Sequence, residues 1–491
     1  MSVAFTPKAL RSVPYLLSAK LVTFVVYFFV SVMVVKALSP EDYGILALSK
    51  NFGQYMVIVC ALGLNTCILR YVPEIEVKRD YLGIKSFLIR SLGCQFLSWL
   101  LCIGVLYLVK VYIFEYLTTD SPLLLEFIFL WILAWVVKNT VTDSLTALFE
   151  VKTVAFIALI QSIMIYFAVW WVCSNDVKIE YILGVELFAL AFTSMIGFMR
   201  LRKRLAEPVC EKSTENNLPV QRVLALATPV WFNGLLRSLM LQYTEVFILA
   251  YCFLPEIAGF YELGYSLPLL AITFIPMALQ TLFSSAFAEA YQRDKTLLPK
   301  MVRSMFKVLI LLSIPLAFTG FLFSEQLVAK IYGEDMSSAG YVAKYFSLIH
   351  ILPLISMPLS MAVTTLEKNS KTVGLLILQV TINIALDIIL IPNYGLSGAI
   401  AAVILTFSLT IPIRLLVIRR LIGGIWFPAK FFLKIIASCL LLAIPFSFIP
   451  QSNTLLGDLS LAILYLASCA GVLHITGSTQ TFLEFLSKKN H

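Results

Sequence analysis

The sequence predicts an all-α polytopic membrane protein of about fourteen transmembrane helices, built as two pseudo-repeated six-helix lobes with a C-terminal helix pair appended. Three observations predict it: an apolar composition, a succession of segments each long enough to cross a bilayer, and sequence signatures that recur in the second half of the chain. Of 491 residues, 60% are hydrophobic and 13% charged, and the mean hydropathy is +0.91. A soluble domain carries about 25% charged residues, so a water-soluble fold would leave apolar surface uncovered. Disorder is excluded by the same figures, because its signature is low hydrophobicity.

In chain order the apolar runs fall at 13–37, 43–69, 84–109, 122–148, 153–174, 179–199, 226–252, 257–287, 302–323, 339–364, 372–392, 395–418, 429–449 and 456–475. Each is close to the roughly 20 residues of helix that cross a bilayer core of about 30 Å. Barrel strands would be about half that length and strictly alternating. Nearly all the runs carry Gly or Pro, which bilayer helices tolerate. The first run has no small-residue cleavage site and passes straight into the second, so no cleavable signal peptide is expected. Cys60, Cys67, Cys94, Cys102, Cys439 and Cys469 lie in apolar runs without CxxC spacing and read as packing residues. The expected organisation is an N-lobe over 1–200 (spans 1–6), a cytoplasmic linker over 201–222, a C-lobe over 223–421 (spans 7–12), and spans 13–14 with a cytoplasmic tail over 422–491.

The net charge of +9 is a statement about sidedness, not about nucleic acid. Connections from even to odd spans, with both termini, hold twenty-four Lys and Arg; the opposite set holds four, Lys36, Lys110, Lys178 and Lys330. The positive-inside rule then puts both termini in the cytoplasm.

The repeat is visible in three ordered matches. Pro40-Glu41-Asp42-Tyr43-Gly44 recurs as Pro255-Glu256-Ile257-Ala258-Gly259, Arg79-Asp80 as Arg293-Asp294, and Arg90-Ser91 as Arg303-Ser304. Basic residues inside spans follow a similar offset: Lys20 with Arg237, and Lys138 with His350. Lys50 adds a further cation in span two. Each mid-membrane charge costs about 2.5–3.5 kcal/mol on insertion scales. Lys20, Lys50, Lys138 and Arg237 must therefore face water, acidic partners or an anionic ligand. The sharper reading is a wet cationic cavity between the lobes, suited to phosphate. The plainer one is structural ion pairing, with Lys20 and Lys50 near enough to span ends to snorkel. His350 in an apolar run reads more simply as a packing residue. Asp143, Glu245, Glu262 and Asp387, with Glu186, are candidates for proton or cation coupling, and counter-ions for the cavity cations explain them equally well.

Catalytic signatures are missing: there is no P-loop, HExxH or GxSxG pattern and no Cys/His metal spacing. The chain reads as a transporter, not an enzyme, and no cofactor or metal is expected. A membrane polymerase would be expected to carry a long external loop, and every external connection here is short.

Three segments carry a family resemblance. Ala37-Leu38-Ser39-Pro40-Glu41-Asp42-Tyr43-Gly44-Ile45-Leu46-Ala47-Leu48 resembles the LxPxxYGxxxL turn of Wzx-type polysaccharide flippases, members of the multidrug/oligosaccharidyl-lipid/polysaccharide exporter superfamily. Gly63 to Glu74 (GLNTCILRYVPE) is similar to that family's exit from span two, and Asn383 to Ala402 (NIALDIILIPNYGLSGAIAA) to its link between spans eleven and twelve. In the last, Pro392 should end one helix, Gly395 make the turn, and Gly398, Ala399, Ala401 and Ala402 admit close packing.

The resemblance implies a flippase in the bacterial inner membrane. It would carry oligosaccharide repeat units on undecaprenyl diphosphate from the cytoplasmic to the outer leaflet, for O antigen, capsule or exopolysaccharide. It implies a coupling cation, and a polysaccharide polymerase with its chain-length machinery, as partners. The family varies in its charged residues, so Lys20, Lys50, Lys138 and Arg237 rest on position and charge alone. An ion-coupled multidrug exporter of the same superfamily is the alternative; the basic residues in the first helix of each lobe disfavour it.

Overall fold

The computed structural model describes residues 7–77, 80–113, 123–175, 177–206, 219–239, 244–293, 297–366, 370–422, 427–449, 452 and 454–478. All regular structure among them is helical. The chain divides into two compact units, Met1–Tyr243 and Thr244–His491.

The first unit holds α1 (Pro7–Ala37), α2 (Pro40–Ala61), α3 (Leu64–Val77), α4 (Tyr81–Ile113), α5 (Leu123–Ala147), α6 (Val151–Cys173), α7 (Ile179–Leu205) and α8 (Val220–Ser238). The repeated Pro-Glu signature is a helix start. Ser39 caps α2, its Oγ accepting from the Asp42 amide at 3.1 Å and donating to Asp42 Oδ2 at 2.7 Å. Pro40 takes the first helical position, where a missing N–H costs nothing. Its counterpart Pro255 opens α10 of the second unit with Glu256 in the first turn. Asp80 likewise caps α4, accepting from the Gly83 amide at 2.8 Å, while its counterpart Asp294 lies outside the described residues.

Span two is two helices. The backbone turns left-handed at Leu62 (φ 53°) and Gly63 (φ 70°) between α2 and α3. A Cβ on Gly63 would also lie 2.4 Å from the Ala227 carbonyl oxygen of α8. Gly63 is thus needed for its φ and for the close approach of α8. α5 forms the spine of the unit. Trp131, Ile132 and Val136 pack with Ile182, Leu183 and Leu190 of α7 and Ile165 and Val169 of α6.

The second unit holds α9 (Thr244–Cys252), α10 (Pro255–Arg293), α11 (Leu297–Tyr332), α12 (Ser337–Ile349), α13 (Ile351–Thr365), α14 (Ser370–Ile422), α15 (Ala429–Ser447) and α16 (Leu455–Ile475). α11 is its spine: Val302, Met305, Phe306 and Ile314 share one core with Ile435 and Cys439 of α15 and Tyr465 and Cys469 of α16. The appended pair is latched by Lys330 of α11, which donates to Asp458 Oδ2 and to the Ser452 carbonyl. Asp458 is fully buried and also accepts from the Ser452 amide at 3.1 Å.

Among the described residues twelve helices are long and apolar enough to cross a membrane, and the chain is a multi-pass membrane protein. One of the twelve, Thr372–Ile422, is 51 residues long, about twice what a bilayer needs. It departs from helical geometry at Gly395 (φ 55°, ψ −130°), so it carries predicted spans eleven and twelve. α8 and α9 fall on predicted span seven. With these, the helices account for the fourteen runs in the sequence. Leu108, Trp171, Leu441 and Ile475 are exposed large apolar side chains, as lipid-facing residues are.

Candidate functional site

All four candidate cations belong to the first unit, and their surroundings differ. Lys50 of α2 donates to Glu186 of α7 at 2.5 Å. The other Glu186 oxygen accepts from the Trp131 indole at 3.0 Å. Lys50 is therefore a counter-charged residue, and Glu186 is its partner. Lys138 of α5 lies 4.5 Å from the Trp135 ring centroid, a cation–π contact. Asp143 is within electrostatic reach of Lys138 without a salt bridge and shares a polar contact with Asn65. Lys20 on α1 and Arg237 on α8 are exposed, and neither forms an ion pair among the described residues. Their charge is open to an anion.

Asp143 sits at the edge of a polar chain through the first unit. Gln95 of α4 donates to Asn65 Oδ1 at 2.9 Å and accepts from Thr140 at 2.8 Å. Gln95 also reaches the Ala61 carbonyl at 3.4 Å, beside the α2–α3 break. The Gly63–Glu74 segment docks α8: the Tyr71 hydroxyl donates to the Arg222 carbonyl at 3.1 Å, and Arg222 makes a two-pronged pair with Glu74 at 2.9 and 3.0 Å.

The second unit contains the opposite chemistry. Asn383 and Asp387 stand one turn apart on α14 and face Glu245 of α9. The Asn383 amide donates to Glu245 Oε1 at 3.2 Å. All three side chains are at most 1% exposed. Glu245 Oε2, Asn383 Oδ1 and both carboxylate oxygens of Asp387 have no hydrogen-bond partner among the described residues, and neither does the Tyr261 hydroxyl beside them. Neither acid forms a salt bridge there, so neither is a counter-ion for a described cation. Two buried ionised carboxylates cannot be left uncompensated; this pair must hold a proton or a cation. Four open oxygens and no sulfur or nitrogen suit a hard cation. Among the described residues no group of three or more His, Cys, Asp and Glu is placed to hold a metal.

Glu262 on α10 is half-buried, one residue from Tyr261, and does not join the open oxygens. His350 is structural. Its Nε2 lies 3.0 Å from the Tyr265 carbonyl, which can only accept, so Nε2 carries the proton. The ring packs against Tyr265 and Phe346. The open amide oxygen of Asn383 was not singled out from the sequence. Its signal was present as a polar residue four before Asp387 in an apolar run.

A model of the polysaccharide biosynthesis protein family matches residues 32–340. The chain belongs to this family. A stretch of 150 residues (30% of the chain) is 21% identical to a protein described as the probable low-salt glycan biosynthesis flippase Agl15 of Haloferax volcanii. That match spans 32% of the relative's length. Among solved structures, the lipid II flippase MurJ in an inward closed conformation aligns with TM-score 0.65 at 16% identity, covering 93% of this chain and 98% of that one. An inward-facing multidrug resistance MATE transporter of the MOP superfamily aligns with TM-score 0.64 at 14% identity, covering 82% and 94%. A MOP superfamily transporter from Pyrococcus furiosus, described by the reverse polarity of its binding pocket, gives 0.60 at 15%, covering 84% and 95%. At these identities the likeness is one of fold. This member of the polysaccharide biosynthesis family thus shares its fold with solved flippases and exporters.

Proposed function

We propose that the protein is a flippase that carries undecaprenyl-diphosphate-linked oligosaccharide repeat units from the cytoplasmic to the outer leaflet of the bacterial inner membrane. In this reading both termini are cytoplasmic and the two lobes alternate access. The observations that carry it are the open acid pair of Glu245 and Asp387 and the exposed Lys20 and Arg237, unpaired among the described residues, within a fold shared with flippases. Lys20 and Arg237 meet the diphosphate, and Lys138 contributes from the Trp135 ledge. Lys50 joins by exchanging Glu186 for a phosphate oxygen, leaving Glu186 its indole bond. Glu245, Asn383 and Asp387 hold the coupling cation or proton, so the driving ion and the anionic cargo occupy different units. Family membership and the Agl15 likeness support a glycan cargo over a drug.

Deletion should cause prenyl-diphosphate oligosaccharide to accumulate and surface polysaccharide to disappear. Arg237→Ala should reproduce that loss while the protein inserts at normal levels. Unchanged surface polysaccharide in R237A would remove Arg237 from the reading. Drug hypersensitivity with normal polysaccharide in the deletion strain would favour the multidrug exporter.

A further inference from the structure

A concave, basic site lies in the unit that carries the acid pair. Arg303 and Lys307 stand one turn apart near the start of α11. With Phe427, Pro428, Ala429, Lys430 and Phe431 they enclose a pocket of about 470 Å³. None of the three cations forms a salt bridge among the described residues. Lys307 instead lies 5.7 Å from the Phe431 ring centroid, a contact that orients the ammonium without neutralising it.

The walls are fixed by packing. Phe427 makes edge contacts with Phe306 at 5.3 Å and with Phe432 at 5.4 Å. The start of α15 adds to the positive potential: it has no side-chain cap and no acidic residue in its first turn, so its amides and dipole favour an anion. Beyond the pocket, α15 exposes Leu433, Leu440, Leu441 and Ile444. A soluble anion would have no use for that apolar track, whereas an acyl chain would.

From these features we infer that the pocket binds the phosphate-bearing headgroup of a membrane lipid, with its chains along α15. Basic pockets between transmembrane helices suit such headgroups. Bilayer phospholipid is the favoured source, and a prenyl diphosphate shares the same chemistry. The inference does not rest on the flippase reading, because binding is read without transport.

The test uses the full-length protein in phosphatidylcholine nanodiscs. Retained lipid is measured by native mass spectrometry after adding phosphatidylglycerol, undecaprenyl diphosphate or inorganic pyrophosphate. K307Q/K430Q should lower retention of the bound lipid on the order of tenfold or more, while K36Q/K178Q, which removes two charges elsewhere, should not. Loss of phosphatidylglycerol identifies a structural phospholipid; loss of undecaprenyl diphosphate alone identifies a carrier lipid. Equal retention by K307Q/K430Q and the unmodified protein, or binding of pyrophosphate only, would overturn the inference. Should the double variant fail to fold, R303Q at the exposed rim gives the same readings.

Discussion

Asp387 shows how much depends on single side chains in this protein. A carboxylate with no exposure and no hydrogen bond is tolerable only with a proton or cation beside it. If sodium is that cation, thermal stability should rise with sodium, by ~2.7 kcal/mol at a hundredfold excess over Kd. E245Q and D387N should abolish the rise; a sodium-dependent Tm preserved in D387N would exclude the site as the sodium ligand. Lys50 and Glu186 make a different prediction. Each single substitution strands the other's charge, so K50A and E186A should each destabilise more than the double change, with a coupling of about 1–3 kcal/mol in a double-mutant cycle. Additive effects would show that the pair contributes nothing. At this scale the sequence was legible in part. Asp387, Glu245 and Lys50 stand out as charges in apolar runs. Their partners did not, because Glu245 meets Asn383 across 138 residues and Lys50 meets Glu186 across 136. Such pairing is decided by tertiary packing, which neither spacing nor composition encodes.

Helix ends and breaks were more readable than contacts. Pro40 and Pro255 begin helices as their chemistry requires, and Gly395 turns α14 where the Pro-Asn-Tyr-Gly sequence indicated. The break at Leu62–Gly63 was missed, since the apolar run from 43 to 69 is continuous in hydropathy and only backbone geometry interrupts it. The break has a use. It exposes the Ala61 carbonyl to Gln95 and lets α8 approach within contact of Gly63. Gly63→Ala should therefore cost about 1–3 kcal/mol of stability, seen as a lowered Tm and loosened protection of α8 in hydrogen exchange. An unperturbed G63A would show that α8 does not dock there. The Lys330–Asp458 latch was also hidden, because Lys330 read as one of four charges on the sparsely basic side. D458A should leave Lys330 without its carboxylate partner and make the α15–α16 pair the first segment released to protease.

At the scale of the whole molecule, hydropathy alone sufficed for the class and its helical nature. Function was less legible, because the fold is common to a lipid II flippase and a multidrug resistance transporter. Lys20 and Arg237 in Met1–Tyr243 and the open acid pair in Thr244–His491 underlie the proposed division between cargo and driving ion. The most direct measurement is leaflet exchange of an undecaprenyl-diphosphate oligosaccharide in proteoliposomes, read by protection from an external glycosidase. The proposal predicts ion-gradient-dependent exchange that R237A and D387N both abolish. Exchange by the unmodified protein no faster than in protein-free liposomes, or undiminished exchange in R237A and D387N, would contradict it.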